Sequence, residues 1–247
     1  MTNLSSLAKT ILLNHIRSFQ SDNIKNGRPR IFSYMLDRIL FLLSTGCQWS
    51  KLPLSHGSWK TVYHYFSLWS KHNIFLNAYE DLVRVYLKIR PRSSIKVVDT
   101  TFVKNVFGRN CVGSNPFDRG RKATKVSAIV DHKGVPLTYT FHKANKNDSR
   151  TLFHTLSKCK FLSKGDSLYA DKIYDSSHCR DVIKHFSMQN CVSKKRQITS
   201  KHDNRIRIVV EHVFGWLDKY RMIILRSHTF KSFNYLASIH LLGNRML

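Results

Sequence analysis

Acid is what this chain has least of. Its 247 residues include 15 Asp plus Glu against 41 Lys plus Arg, a formal charge of +26, and only Glu80 and Glu211 are glutamates. So one-sided a surface repels itself unless a polyanion covers it, which makes nucleic acid the expected partner and an acidic membrane surface the second. Long apolar runs are missing too. Ile39-Leu40-Phe41-Leu42-Leu43 is far short of a bilayer span, and the opening MTNLSSLAKTILLNHIRSF holds too short an apolar run for a secretory signal. Cys47, Cys111, Cys159, Cys179 and Cys191 are odd in number and far apart, with no CxxC pair and no Cys/His cluster of zinc spacing. These absences lead us to expect a soluble protein with reduced thiols, cytoplasmic and nucleoid-associated, with no membrane partner. An internal repeat and a low-complexity segment are absent as well.

What is present divides at about residue 90. Before it, apolar residues recur at helical spacing over 5–19, 32–45, a segment beginning at Trp59, and 75–89. Gly46 is placed to cap the second of these helices and Ser58 to start the third. Trp59, Val62, Tyr63, Phe66 and Trp69 are expected inward, with Lys60, His64 and Lys71 outward. Residues 1–90 therefore read as a small all-helical, helix-turn-helix-like domain that either reads duplex DNA or braces the next domain. Residues 91–247 change texture. Strands are expected over 95–99, 125–131 and 136–142, the last two joined by a turn at His132-Lys133-Gly134-Val135. Helices and short strands then alternate: helix 148–159, strand 166–170, helix 176–186, strand 190–192, and a helix over 205–221. That order describes an α/β domain with a mixed sheet and flanking helices.

Three of the scarce acids fall at telling places. Asp99 is expected to end the first strand and Asp171 to follow the fourth, and α/β sheets build sites at strand ends. Glu211 stands at the edge of the apolar stripe Ile206, Val209, Val210, Val213, Phe214, Leu217 and Tyr220, with Arg207 one turn before it and Gly215 one turn after. Read alone, Arg207 and Glu211 make an ordinary surface ion pair. Brought together in a basic protein, three carboxylates need a cation between them, and hard oxygen donors suit Mg²⁺ or Mn²⁺. Two such ions would activate a nucleophile and stabilise a leaving oxygen at a phosphodiester. Pattern alone reaches a metal-assisted, nuclease-like site on a nucleic-acid binder.

Several segments in order carry a resemblance: GRPR at 27–30, TGCQWSKLP at 45–53, SWKTVYHYFSLWS at 58–70, VVDTTFVK at 97–104, GRKATKVSAIVDHKG at 120–134, ANKNDSR at 144–150, YADKIYDS at 169–176 and RIVVEHVFGWLDKYRMI at 207–223. Together they resemble the DDE transposases of the IS4/IS5 class, and within it the short IS5-family enzymes of bacterial insertion sequences. The resemblance implies an RNase H-like fold and Asp99, Asp171 and Glu211 as catalytic, metal-holding triad. It also implies double-stranded DNA partners (the element's terminal inverted repeats and a target) and a homodimer or higher oligomer. The activity it implies is metal-dependent cleavage at the element ends and transfer of the freed 3′-hydroxyl. Departures are visible: Ser127 stands where relatives often carry histidine, Asn204 at a tyrosine position and Asp218 at a lysine position. Rival readings from other classes are a non-catalytic DNA-binding descendant and a simple metal-dependent endonuclease.

Basic residues beside the acids are read as phosphate contacts: Arg119, Arg121, Lys122 and Lys125 before the second strand, Lys172 next to Asp171, Lys194, Lys195 and Arg196 after the last strand, and Arg207. Asp131 is expected to open a turn and Asp148 to cap a helix. Trp49, Trp59, Trp69 and Trp216 are read as core.

Overall fold

A computed structural model describes residues 4–21, 31–105, 108, 110–195, 198, 200–220 and 227–246, without the side chains of 21 and 227–229. The GRPR segment, Arg196 and the end of the last motif from Arg221 lie outside the described residues. Contacts divide the chain into a helical unit, 1–91 with 217–247, and an α/β unit, 92–216.

The helical unit holds α1 (Ser6–Ser21), α2 (Phe32–Thr45), α3 (Trp59–Lys71), α4 (Ile74–Ile89) and α8 (Ser227–Arg245). Gly46 ends α2 at φ 66°, where its N–H reaches Leu42 O. Ser58 caps α3 through its hydroxyl, which accepts from Lys60 N. Leu36, Ile39, Leu42, Phe66, Trp69, Phe75 and Leu82 form the core, joined from α8 by Phe233 and Leu236. Phe66 and Phe233 stack at 4.5 Å. Gly243 permits the close approach of α8 to α1, since a Cβ there would stand 2.6 Å from Ser5 Oγ. On α3 the apolar face is turned slightly from the expected one: Tyr65 is buried, while Trp59 and Tyr63 keep partial exposure. The larger difference is α8, which falls within the span expected to form the α/β domain yet contributes Phe233, Leu236 and Leu242 to the core of the helical unit.

The α/β unit is one six-stranded sheet: β1 (Ile95–Lys104), β2 (Gly113–Ser114), β3 (Lys122–Asp131), β4 (Pro136–Lys143), β5 (Ser167–Ala170) and β6 (Gln189–Val192). β1, β3 and β4 form an antiparallel meander, to which β5 and β6 add in parallel on the other side of β1. Helices α5 (Leu152–Lys158), α6 (Ser177–His185) and α7 (Lys201–Leu217) follow β4, β5 and β6. Three antiparallel strands with two parallel ones on the far edge of the first are the RNase H-like plan. Val97, Val98, Val126, Ile129, Val130, Leu137 and Leu168 make its core. Among the described residues no helix is long and apolar enough to cross a membrane.

Candidate active site

Asp99 does not end its strand. Thr100-Thr101-Phe102-Val103 is β-branched and aromatic, and β1 continues to Lys104 against β3, where Asp99 pairs with Ala128. What ends near Asp99 is the parallel pairing. Residues 95, 96 and 97 stand opposite 167, 168 and 169. Carried two places further, that register sets Asp99 opposite Asp171, the residue after β5, on neighbouring strands about 4.8 Å apart. Two acids 72 positions apart in sequence thus meet at the carboxyl end of the parallel pair.

A cation already stands there. Arg207 projects from α7 and its Nη2 lies 3.1 Å from Asp171 Oδ1. Helical spacing suggested Glu211 as its partner, yet the ion pair that Arg207 makes among the described residues is with Asp171. Burial pushes the Asp99 carboxyl up to about 6, and the charges of Asp171 and Glu211 push the same way; the Thr100 N–H and Arg207 oppose them. The Thr100 amide donates to Asp99 Oδ1 at 2.8 Å. Glu211 is exposed on α7, and a Cβ added at Gly215 one turn on would meet nothing within 4 Å. The face beside Glu211 is open. Among the described residues no group of three or more His, Cys, Asp or Glu stands close enough to hold a metal ion. Asp99 feels the charges of the other two acids without the three forming a ready-made cage.

The expected phosphate contacts sort into two kinds. Arg119, Arg121, Lys122, Lys194 and Lys195 are exposed, and Lys172 and Arg207 are partly so. Lys125 is a correction. It is 3 % exposed, its ammonium pairs with Asp148, donates to Lys146 O at 2.6 Å and lies 4.8 Å from the Phe102 ring centre. Nearly all of β3 is buried, so a lysine on it must find its partner inside. Asp148 is corrected with it: Asn147 makes the cap, accepting from Ser149 N, whereas Asp148 takes Lys125 and the Thr100 hydroxyl at 2.9 Å. Asp131 does hold the expected turn, accepting from Lys133 N and Val135 N. Sequence reasoning missed that Lys125, Asp148 and Thr100 form a polar support next to Asp99. A lysine inside KATKVSAIVD was the available signal.

Residues 90–242, more than half the chain, match the family model described as "Transposase DDE domain". The chain belongs to that family. A second model, described as "Putative transposase of IS4/5 family", matches residues 12–78 of this DDE transposase chain. A curated relative, "Putative transposase for insertion sequence element IS402" of Burkholderia cepacia, is 28% identical over 128 residues, which is 49% of this chain and 61% of the relative. The match therefore spans less than two thirds of that relative's length. Among solved structures, the Mos1 strand transfer complex matches at TM-score 0.31 and 11% identity, over 93% of this chain and 82% of that one. The catalytic domain of Mos1 mariner transposase matches at 0.31 and 14%, over 68% and 87%. At that level the likeness adds nothing to the family assignment.

Proposed function

We propose that this DDE transposase cuts DNA at the ends of its own element and joins the freed 3′-hydroxyl to target DNA, using Asp99, Asp171 and Glu211. The observation that carries the reading is the ion pair that Arg207 makes with Asp171 from the helix bearing Glu211, beside a parallel β1–β5 pairing whose last pair, Val97 with Tyr169, comes two residues before Asp99 and Asp171. The donor chemistry fits a hard divalent ion: carboxylate oxygens at a position where one guanidinium offsets only part of the negative charge. Asp99 and Asp171 would hold Mg²⁺ or Mn²⁺, two ions in all, with Glu211 completing the set from α7. Bound there, the ions would supply an activated attacking oxygen and a stabilised leaving oxygen.

The chain's own groups do the rest. The Thr100 amide fixes the Asp99 carboxylate in one orientation, and Asp148 with Lys125 holds Thr100 from behind. Arg207 keeps Asp171 in place and is near enough to take a phosphate oxygen once that carboxylate is engaged. Lys172, Lys194 and Lys195 border the same end of β5 and β6 and suit the flanking backbone, as do Arg119, Arg121 and Lys122 at the far end of β3. Duplex DNA, as element ends and as target, is the proposed partner. Two ends handled together call for a homodimer or larger assembly.

The rival of a non-catalytic DNA binder is favoured by one observation, the lack among the described residues of a preformed three-ligand cluster. The readings separate on DNA flanking the gene, in Mg²⁺ or Mn²⁺, by scoring nicked and joined products. Asp99→Asn is expected to lower cleavage by about a thousandfold or more while salt-sensitive binding persists. Equal cleavage by parent and variant removes the triad. Binding without any cleavage by the parent establishes the rival.

A further inference from the structure

The segment between β2 and β3 is built as a rigid tip. Asn115-Pro116-Phe117-Asp118 is a β-turn with Asp118 N on Asn115 O at 3.2 Å, and proline at its second position fixes the backbone. The buried Asn115 side chain accepts from Phe117 N at 3.0 Å, an Asx turn that locks the next residue outward. Gly120 N also donates to Asn115 O, and Arg121 N to Asp118 O. Arg119 and Gly120 complete the return at φ 48° and 74°, and a non-glycine residue held in the left-handed region costs energy that the surrounding bonds must overcome. On this braced tip Phe117 is 80% exposed. Its ring lies 5.7 Å from that of Phe102 between centroids, tilted at 53°. Around it stand the exposed Arg119, Arg121 and Lys122, with Arg121 oriented by Asp118 at 3.5 Å.

An isolated exposed aromatic means little, but one fixed by a turn among cations matches how proteins engage both halves of a nucleic acid: bases by stacking, phosphates by charge.

We propose that Phe117 is a base-stacking residue, which enters the DNA at an unpaired or opened base while Arg119, Arg121 and Lys122 hold the flanking backbone. This rests on the DNA-binding reading above, and the test separates the two. Full-length protein without divalent ion is titrated, across a salt series, with a labelled duplex carrying one unpaired thymine and with its fully paired counterpart. Phe117→Ala is expected to bind the unpaired-base duplex about fivefold or more weakly, with less loss on the paired one and an unchanged slope against salt. Phe117→Trp is expected to keep parental affinity. Arg119→Ala and Arg121→Ala are each expected to lower the salt slope by about one. Parental affinity of Phe117→Ala on both probes, or an equal loss on both, overturns the stacking role and leaves the DNA reading standing. Absence of salt-dependent binding by the parent overturns the DNA reading itself. Phe117 is solvent-facing, so the variants are expected to melt with the parent.

Discussion

β1 carries two charged clusters, one near its start and one at mid-strand, and the two are built on opposite plans. Near its start, Asp166 accepts from Arg92 at 2.9 and 3.1 Å and from Ser163 N at 2.9 Å, and lies 3.4 Å from the Lys96 ammonium. Lys96 also donates to Ser93 O. Both charges are almost wholly buried, Lys96 at 2% and Asp166 at 3% exposure. Burial pulls the Lys96 ammonium down and Asp166 pulls it back up. Three residues along the strand, Asp99 is raised by burial with acids on either side, and Asp171 keeps 47% of its side chain in solvent with Arg207 beside it. The first cluster has every charge answered; the second holds more acid than its one cation balances. Saturated polar groups brace a fold, whereas unsaturated ones are ready for a ligand.

Breaking the braced end gives the largest effect on folding. Asp166→Asn strands Lys96 inside the protein and is expected to cost about 3–5 kcal/mol, read as a lower urea midpoint. Parental stability would deny that Asp166 supports Lys96. At the unsaturated end the sign reverses. The folded carboxyl of Asp99 sits at about 6 against an ordinary 3.8, so the folded state prefers the protonated acid. Its contribution is intact below about pH 4 and is lost as pH rises through 6. Asp99→Asn escapes that loss. In chelator it is expected to match the parent near pH 4 and exceed it by ~3 kcal/mol above pH 6. Comparing the two proteins at each pH cancels His142, which burial lowers to about 4 and which destabilises the fold as pH falls below about 6.5. A constant difference from pH 4 to 8 would contradict the assignment. The smallest effect sharpens the contrast between buried and free cations. Lys122→Ala is expected to reduce the salt slope of DNA binding by about one, and Lys125→Met, measured where it is folded, to leave it unchanged. Equal slopes for the two variants would place Lys125 among the contacts after all.

Features governed by neighbours in sequence were readable. Gly46 and Ser58 act within one helical turn, the turn at 132–135 joins adjacent strands, and the strand ending at Ala170 is bounded by its own polar flanks. Features set by distant partners were not. Whether β1 stops at Asp99 depends on β3, whose pairing carries it on to Lys104. The exposure of Lys125 depends on Asp148, 23 positions away. The Asp166 cluster escaped notice because Arg92, Lys96 and Asp166 look like ordinary surface charges until the sheet closes over them. For the candidate site, the sequence offered three acids and an arginine. The alignment of 99 with 171, and Arg207 on Asp171, exist only once strands pair.

The division of the chain carries a last consequence. The α/β unit is an insertion between two pieces of the helical one, 1–91 and 217–247. On a ribosome the inserted body is fully synthesised while its host still waits for α8 to supply Phe233 and Leu236. The four early helices must therefore keep an apolar face uncovered for the seconds that synthesis takes to pass from the α/β unit through α8. A nascent chain stalled there would be sticky in its oldest part and finished in its middle.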